Sequence, residues 1–494
     1  MISGNESLQK YYPAGTKEAA PKPVTELGNM LSALVIHYCV PFKNLSDKVP
    51  PPHAVDPLSF YEVSAGRNSR PTFLPVSLAK YLAILLGPIH KTGESWFRYD
   101  GGVFRRIDED DLKHVAQVAL RDNGRPLQVN SAVETLGNLV RRRPEDWPRG
   151  GSLLNCANCM VDLKTGETFP HSPDYLSRTQ IPSNFDPTKI EAAIPFLEYL
   201  EKSQPGKENE PCRIMLQRFG GYTLWPDNRF EVFLILKGEG GSGKGTFTKC
   251  LKAVLGDENC SALSLHDLGE RFNTYVLQNS MINIGGEVNS KKEVEITTLK
   301  LAVSGESIKA EEKFGKAFFL EPRTKFIFAV NRNPRFQEIG HDLERRMIVV
   351  PFEQRFEGES KEPDLYKRLV EGDGRDGILY WMLVGQQPLW EAHSFELKGR
   401  VKDTTSAFMQ SLDNFLIFVN AVCVLRPDAK ARVKNSYDRY VAWCRHAQCQ
   451  FMSLPSFSKR MQSLKGVYQK LEPGTKRSYF YGIEIRTEDE DEDF

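Results

Sequence analysis

With 494 residues, 40% of them hydrophobic and 26% charged, the chain is too long for one ordinary core and is expected to form several domains. No apolar run reaches the roughly 18 residues of a membrane span, and the N-terminus has neither the basic start nor the apolar stretch of a signal peptide, so a cytoplasmic protein without a membrane partner is expected. The formal charge of +1 hides an asymmetry: six acids from Glu488 to Asp493 leave +7 on everything before them, a balance that suits contact with nucleic acid.

In chain order, residues 1–74 are broken by Pro and Gly around one apolar patch of helical character, 30–40. "SLAKYLAILLG" reads as a helix stopped by Gly87, and "SWFRYDGGVFRRI" as a hairpin turning at Asp100-Gly101-Gly102. "DEDDLKHVAQVAL" is an acid-led amphipathic helix, and 160–187 a β-rich connector with a turn at Lys164-Thr165-Gly166. Helices follow in "AAIPFLEYLEKS" and "RIMLQRFGGYTL". Short apolar strands, "EVFLILKG", "SMINIGGE", "TKFIFAVN" and "RRMIVVPFE", then alternate with helical stretches, which predicts a mostly parallel sheet. After 360 the pattern is helical through "DLYKRLVEG", "GILYWMLVGQQPLW", "SAFMQSLDNFLIFVNAV" and "KNSYDRYVAWCRHAQ". A last helix and hairpin, 456–485, have the form of a winged helix.

Nine cysteines fit no secretory framework. Cys156-x-x-Cys159 and the Cys444/Cys449 pair lie almost 300 residues apart, so reduced thiols in packed segments are expected rather than zinc.

The strongest chemical signal is "GEGGSGKGT". Gly238, Gly240, Gly241, Ser242, Gly243, Lys244, Gly245 and Thr246 sit between an apolar strand and a helix, the context in which successive backbone N–H groups cradle phosphates. The usual pattern has Ser or Thr directly after the lysine; here Gly245 intervenes and the hydroxyl that would hold Mg²⁺ arrives at Thr246. Glu287 follows an apolar strand 43 positions after Lys244, and Asn331 follows another 44 positions later. A carboxylate and a polar sensor at neighbouring strand ends are what nucleotide hydrolysis needs to orient water and detect the γ-phosphate. Arg345 and Arg346 precede the next strand and have the planar, permanent charge that stabilises a transferring phosphoryl group. Between Glu287 and Asn331, "SGESIKAEEKFGKAFFL" is a basic, aromatic-tipped hairpin in which Lys309, Lys313, Phe314 and Lys316 are suited to gripping a single strand.

These parts, in this order over about 130 residues, resemble the superfamily 3 helicases, in the branch found in phage, plasmid and poxvirus primase–helicases. The segments "WFRYDGGVFRRI", "DLKTGETFPHSPDYLSRTQIPSNFDP" and "LQRFGGYTL" look like the domain that precedes the motor in that branch. The resemblance implies an α/β fold: an AAA+-like P-loop NTPase core, a mixed α+β N-terminal domain and a helical, winged-helix C-terminal domain. The expected boundaries are 1–74, 75–205, 206–360, 361–486 and an acidic tail, 487–494. It further implies ATP and Mg²⁺ as ligands, a homo-oligomeric and usually hexameric ring, and movement on single-stranded DNA in a phage, plasmid or virus-like replicon. Lys244 and Thr246 take the Walker A roles, Glu287 Walker B, Asn331 the sensor, and Arg345 or Arg346 the arginine finger. Lys313 and Phe314 tip the DNA-binding hairpin. Two positions depart from the family pattern: Gly286 stands where a second acid often precedes Glu287, and Ser242 where Asn is common.

A primase is not expected, because Asp108 and Asp110 stand at a helix start, where acids favour the dipole. Two other readings remain: an origin-recognition or scaffold ATPase without unwinding, and a P-loop small-molecule kinase. The tail, "EDEDEDF", has the charge of a DNA mimic and an aromatic end in Phe494, features suited to docking on a polymerase or single-strand-binding protein.

Overall fold

The computed structural model describes residues 49–62, 70–148, 151–286, 293–311, 313, 317–336, 340–358, 362–447, 449 and 451–486. The apolar patch at 30–40, Glu287, Phe314, Lys316 and the acidic tail lie outside them. The chain divides into two compact units: 1–151 with 170–180, and 152–169 with 181–494.

In the first unit, helix α1 (Pro75–Leu86) stops at Gly87, whose φ of 73° is one a side chain would resist. A three-stranded antiparallel meander follows, β1 (Ile89–Thr92), β2 (Ser95–Asp100) and β3 (Val103–Ile107), then α2 (Glu109–Leu120) and α3 (Pro126–Leu139). The expected hairpin is therefore β2–β3. Strand β1 and helix α3 went unread: β1 has only four residues, and α3 is interrupted by polar residues and Gly137. The three helices bury one face against Trp96, whose indole N–H donates to Glu109 at 3.2 Å. Asp108 is the N-cap residue of α2, as its position at an acid-led helix start implied.

The second unit begins with the short antiparallel strands β4 (Leu153–Asn155), β5 (Met160–Asp162) and β6 (Thr168–Phe169). Beyond β6 the expected β-rich connector is mostly irregular chain and 3-10 turns, since its prolines remove ladder donors. Helices α4 (Ile194–Ser203) and α5 (Glu210–Tyr222) lead into the central sheet. That sheet contains β7 (Phe233–Lys237), β8 (Cys260–Ser261), β9 (Ile282–Gly285), β12 (Lys325–Val330) and β13 (Met347–Pro351). Its order is β8-β9-β12-β7-β13 and every pairing is parallel. Along β7 the side chains alternate: Leu234 and Leu236 join the core with α6 (Lys244–Leu255), while Phe233 and Ile235 join the core on the other side of the sheet. Both faces are covered, which is why these strands read as unbroken apolar runs. Helix α7 (Thr297–Val303) and the hairpin β10 (Ile308–Ala310) and β11 (Phe318–Leu320) lie between β9 and β12.

Helices α8 (Leu365–Val370), α9 (Gly374–Gln386) and α10 (Gly399–Leu412) follow. The apolar stretch 406–422 is two helices rather than one. Asp413 ends α10 and caps α11 (Asn414–Val422), its carboxylate accepting from the N–H of Phe415 at 3.0 Å. Strand β14 (Cys423–Arg432), α12 (Val433–His446), α13 (Leu454–Ser463), β15 (Tyr468–Leu471) and β16 (Ser478–Ile485) complete the chain, with sheet order β14-β16-β15. Strand β14 had no sequence signal, because its middle, "RPDAK", is polar, holds a proline and is exposed. Among the described residues no helix is long and apolar enough to cross a membrane.

One buried charge has a measurable consequence. Lys325, at the start of β12, is fully buried, and its ammonium donates to the carbonyls of Trp225 (2.6 Å) and Arg323 (2.8 Å). Burial pushes it down from 10.5 to about 7. The unfolded chain then binds more protons than the folded one between those values, so this group makes stability rise with pH above 7. The buried thiols of Cys250 and Cys260, raised from 9.0 to about 12, oppose that trend once the unfolded thiols ionise. Between pH 7 and 8.5, thermal melts of the native chain should gain more stability than those of Lys325→Met; equal slopes would show that the lysine stays charged.

Candidate functional site

Strand β7 ends at Lys237, and the chain turns through 238–243 into α6. Gly238 has no room for a side chain: a Cβ there would collide with the carbonyl oxygen of Phe352. Gly241 and Gly243 have φ of 78° and 96°, the left-handed region that glycine tolerates. The loop is fastened on one side by the segment after β13, where Phe352 N–H donates to Lys237 (2.6 Å) and Phe356 N–H to Gly241 (3.0 Å). On the other side the Tyr199 hydroxyl donates to the Gly243 carbonyl at 2.8 Å. Sequence reasoning missed Tyr199, which carries no local motif and reaches the loop only through the packing of α4.

Lys244 opens α6 and is buried, 6% exposed. Its ammonium donates to the carbonyls of Gly238 (2.6 Å) and Glu239 (2.8 Å) and to the Ser242 hydroxyl (3.2 Å). Burial holds it below the usual lysine range, with Glu239 pulling the other way. Among the described residues, the backbone N–H groups from Gly240 to Gly245 donate to no carbonyl or side chain. A concave run of donors at a helix N-terminus, with a desolvated cation inside it, is complementary to a polyanion. Gly245 has open space where a Cβ would stand, so no steric need excludes a hydroxyl there; Thr246, half-buried in the first turn of α6, carries it instead. These residues fit a nucleotide polyphosphate. For Mg²⁺ the described donor is the Thr246 hydroxyl, with Glu287 outside the described residues.

The strand order decides what lies beside the loop. Val330, the last residue of β12, pairs with Lys237, so Asn331 leaves the sheet next to the loop and is exposed. Strand β9 pairs with β12 on the other side and ends at Gly285, two residues before Glu287. The loop, Asn331 and the approach to Glu287 thus occupy the C-terminal ends of three adjacent parallel strands.

The arginine pair lies at the other end of the sheet. Met347 begins β13 and pairs with Phe233, the first residue of β7. Counted back from Pro351, which pairs with Lys237, Arg346 lies about 17 Å and Arg345 about 20 Å from the loop end, at about 3.3 Å per residue. The two arginines differ in exposure. The Arg346 side chain is 8% exposed and donates to Glu231 (2.9 Å), Ser304 (3.0 Å) and the Asp342 carbonyl (3.0 Å). The Arg345 side chain is 46% exposed, touching the same Glu231 carboxylate at 3.0 Å.

Lys309 and Lys313 are exposed on the β10–β11 hairpin, Lys309 directly across from Phe319. Phe319 is 79% exposed, the largest exposure of any large apolar side chain on the hairpin strands. Nearby chain adds more rings: Phe272 and Tyr275 are exposed, the Arg271 guanidinium lies 5.1 Å from the Phe272 ring, and Arg271 pairs with Glu311 at 2.9 Å. Thr274 ties this segment to the hairpin by donating to the Lys309 carbonyl at 3.0 Å. The sequence reading of this hairpin singled out its lysines and Phe314 and not Phe319, whose ring the pairing register turns outward.

Two family models match the chain. Residues 236–346, which span the loop, the hairpin and the arginine pair, match a family of unknown function, DUF5906. Residues 88–205 match the model described as D5 N terminal like. Among solved structures, an apo structure of the NrS-1 C-terminal region is similar at 11% identity, covering 83% of this chain and 99% of that one, with a TM-score of 0.47. An A-form apo structure of the same region is 14% identical, covers 75% and 80% respectively, and has a TM-score of 0.45.

Proposed function

We propose that the chain is an ATP-driven motor on single-stranded DNA, serving replication of a phage, plasmid or virus-like replicon. Its core is read as an AAA+-like P-loop NTPase. The observation that carries this reading is the loop itself: the N–H groups of 240–245, without acceptors among the described residues, and a desolvated Lys244 beside Asn331, at the ends of adjacent parallel strands. The D5 N terminal like match upstream supports it, standing where the resemblance expects a domain before the motor.

In this reading the 240–245 amides and Lys244 bind the phosphates, Asn331 orients the γ-phosphate, and Glu287 polarises the attacking water. Thr246 and Glu287 would hold Mg²⁺, which would neutralise phosphate charge during transfer. Arg345, remote from the loop of its own subunit, acts on the nucleotide of a neighbour, which requires a homo-oligomer; a hexameric ring is the form the resemblance implies. Lys309, Lys313, Phe314, Lys316 and Phe319 grip the strand through phosphate charge and base stacking. The acidic tail ending in Phe494 recruits a polymerase or single-strand-binding protein.

ATP turnover of the full chain should be stimulated by single-stranded DNA. Glu287→Gln should lower it about 100-fold or more while leaving ATP binding intact. DNA binding without turnover in the native chain would instead make it a scaffold or origin-recognition protein.

A further inference from the structure

The last sheet, ordered β14-β16-β15, turns one face to a core and the other to solvent. On its central strand β16, Phe480 is buried with Tyr440 and Phe457, so its neighbours Tyr479 and Tyr481 point the opposite way. Pairing register decides what joins them there. Tyr481 lies between Lys430 of β14 and Tyr468 of β15, and Tyr479 lies between Arg432 and Lys470. Gln469, one position out of step, faces the core side, where its side-chain oxygen accepts from Gln462 of α13 at 3.1 Å. The outward face therefore carries two rows about 7 Å apart along the strands. One row is cation, ring, ring, and the other is cation, ring, cation.

The rings of Tyr468 and Tyr481 are almost parallel, at 8°, with centroids 5.2 Å apart, an offset stack. Strand β15 is the edge of this sheet and Tyr468 is 57% exposed, so the outer end of the stack is open. Lys430 lies 4.9 Å over the Tyr479 ring, and both Lys430 and Lys470 are exposed. The acid at this rim, Glu472, pairs with Lys430 at 3.2 Å; three cations against that one acid leave a net +2. Sheet stability alone explains a cross-strand ring pair. It does not explain an open ring at the edge with cations beside it in both rows. An unpaired nucleotide offers the complementary groups, a planar base face and a phosphate, whatever the sequence. A duplex withholds its base faces, which are already stacked on one another, and an acidic peptide would satisfy the cations but not the ring.

We propose that this sheet face binds a nucleic-acid single strand. A base stacks on the open side of Tyr468, extending the Tyr481–Tyr468 stack, while Lys470, Arg432 and Lys430 hold the flanking phosphates. The surface lies on other elements than the β10–β11 hairpin and does not depend on the motor reading.

The test uses the full chain without nucleotide and a labelled DNA strand of about 12 bases, within the span such platforms cover. With iodouracil in that strand, ultraviolet irradiation should crosslink it to Tyr468, and mass spectrometry should locate the adduct. Anisotropy is read in a chain also carrying Lys309→Ala and Phe319→Ala, so that the hairpin does not mask the effect. There Tyr468→Leu should lose affinity about fivefold or more, the low end for one stacked base, whereas Tyr468→Phe should stay within about twofold. Lys470→Ala should flatten the slope of log K against log salt by about 0.7. A ribose strand of the same sequence should bind within about threefold, because neither ring nor cation reads the 2′-hydroxyl. Crosslinks confined to the hairpin, or a Tyr468→Leu chain that binds as tightly as its parent, would overturn the proposal. So would self-association that Tyr468→Leu abolishes in a chain giving no crosslink there, which would assign the face to a second copy. All readouts are of binding without ATP, so failure of the motor reading would leave them unchanged.

Discussion

Lys244→Ala should weaken ATP binding by about 1.5–3 kcal/mol, the range for hydrogen bonds to charged groups, while leaving the free protein as stable as before. In the free protein the ammonium is desolvated and, among the described residues, bonded to its own loop, at Gly238, Glu239 and Ser242. Removing it gives up those bonds but also relieves the cost of a buried charge, so the two effects offset. A triphosphate changes the balance, since it brings anionic oxygens to a cation that water no longer solvates. Isothermal titration should show the lost affinity, and ATP should no longer raise the melting temperature. A variant stabilised by ATP as strongly as the native chain would remove Lys244 from the site.

The adjacent arginines should separate folding from turnover. Arg346→Ala removes a buried guanidinium that holds Glu231, Ser304 and the Asp342 carbonyl together. A cost of about 2–3 kcal/mol is expected, below the range for a fully buried pair because Glu231 is partly exposed and keeps Arg345. Glu231 adopts a φ of 51°, a left-handed conformation that the surrounding contacts must sustain, so its loop should loosen in that variant. Arg345→Ala should change stability by no more than about 0.5 kcal/mol, as expected for a surface position. Its ATP turnover should nevertheless fall about 1,000-fold, as arginine-finger losses do. Mixing Arg345→Ala with Lys244→Ala subunits should restore part of the activity, because each then supplies what the other lacks. No restoration, with Arg345→Ala fully active alone, would end the case for action across a subunit boundary.

The central strands were readable because burial on both faces imposes unbroken apolar runs, and the loop because its glycines and lysine are contiguous. Helix α2 announced itself by its acidic first turn. Strand β14 did not, because an edge strand with an exposed polar middle obeys no periodicity. Helices α10 and α11 merged in the sequence because the Asp413 cap sits between two apolar stretches. The sequence also treated Arg345 and Arg346 as interchangeable; burial of Arg346 against Ser304 and the Asp342 carbonyl distinguishes them, while both touch Glu231.

The amino-acid sequence by itself determined the parallel α/β core, the phosphate-type loop and the sequential order of Glu287, hairpin, Asn331 and arginines. These are local or periodic properties, set by backbone sterics and by the burial of alternate side chains. Tertiary structure alone decided that β12 inserts between β7 and β9, bringing Asn331 beside the loop, and that the arginines stand at the opposite end of the sheet. It also turned Phe319 outward. Strand order and register are agreements between distant segments about shared core volume, and no single stretch of sequence contains both sides of such an agreement.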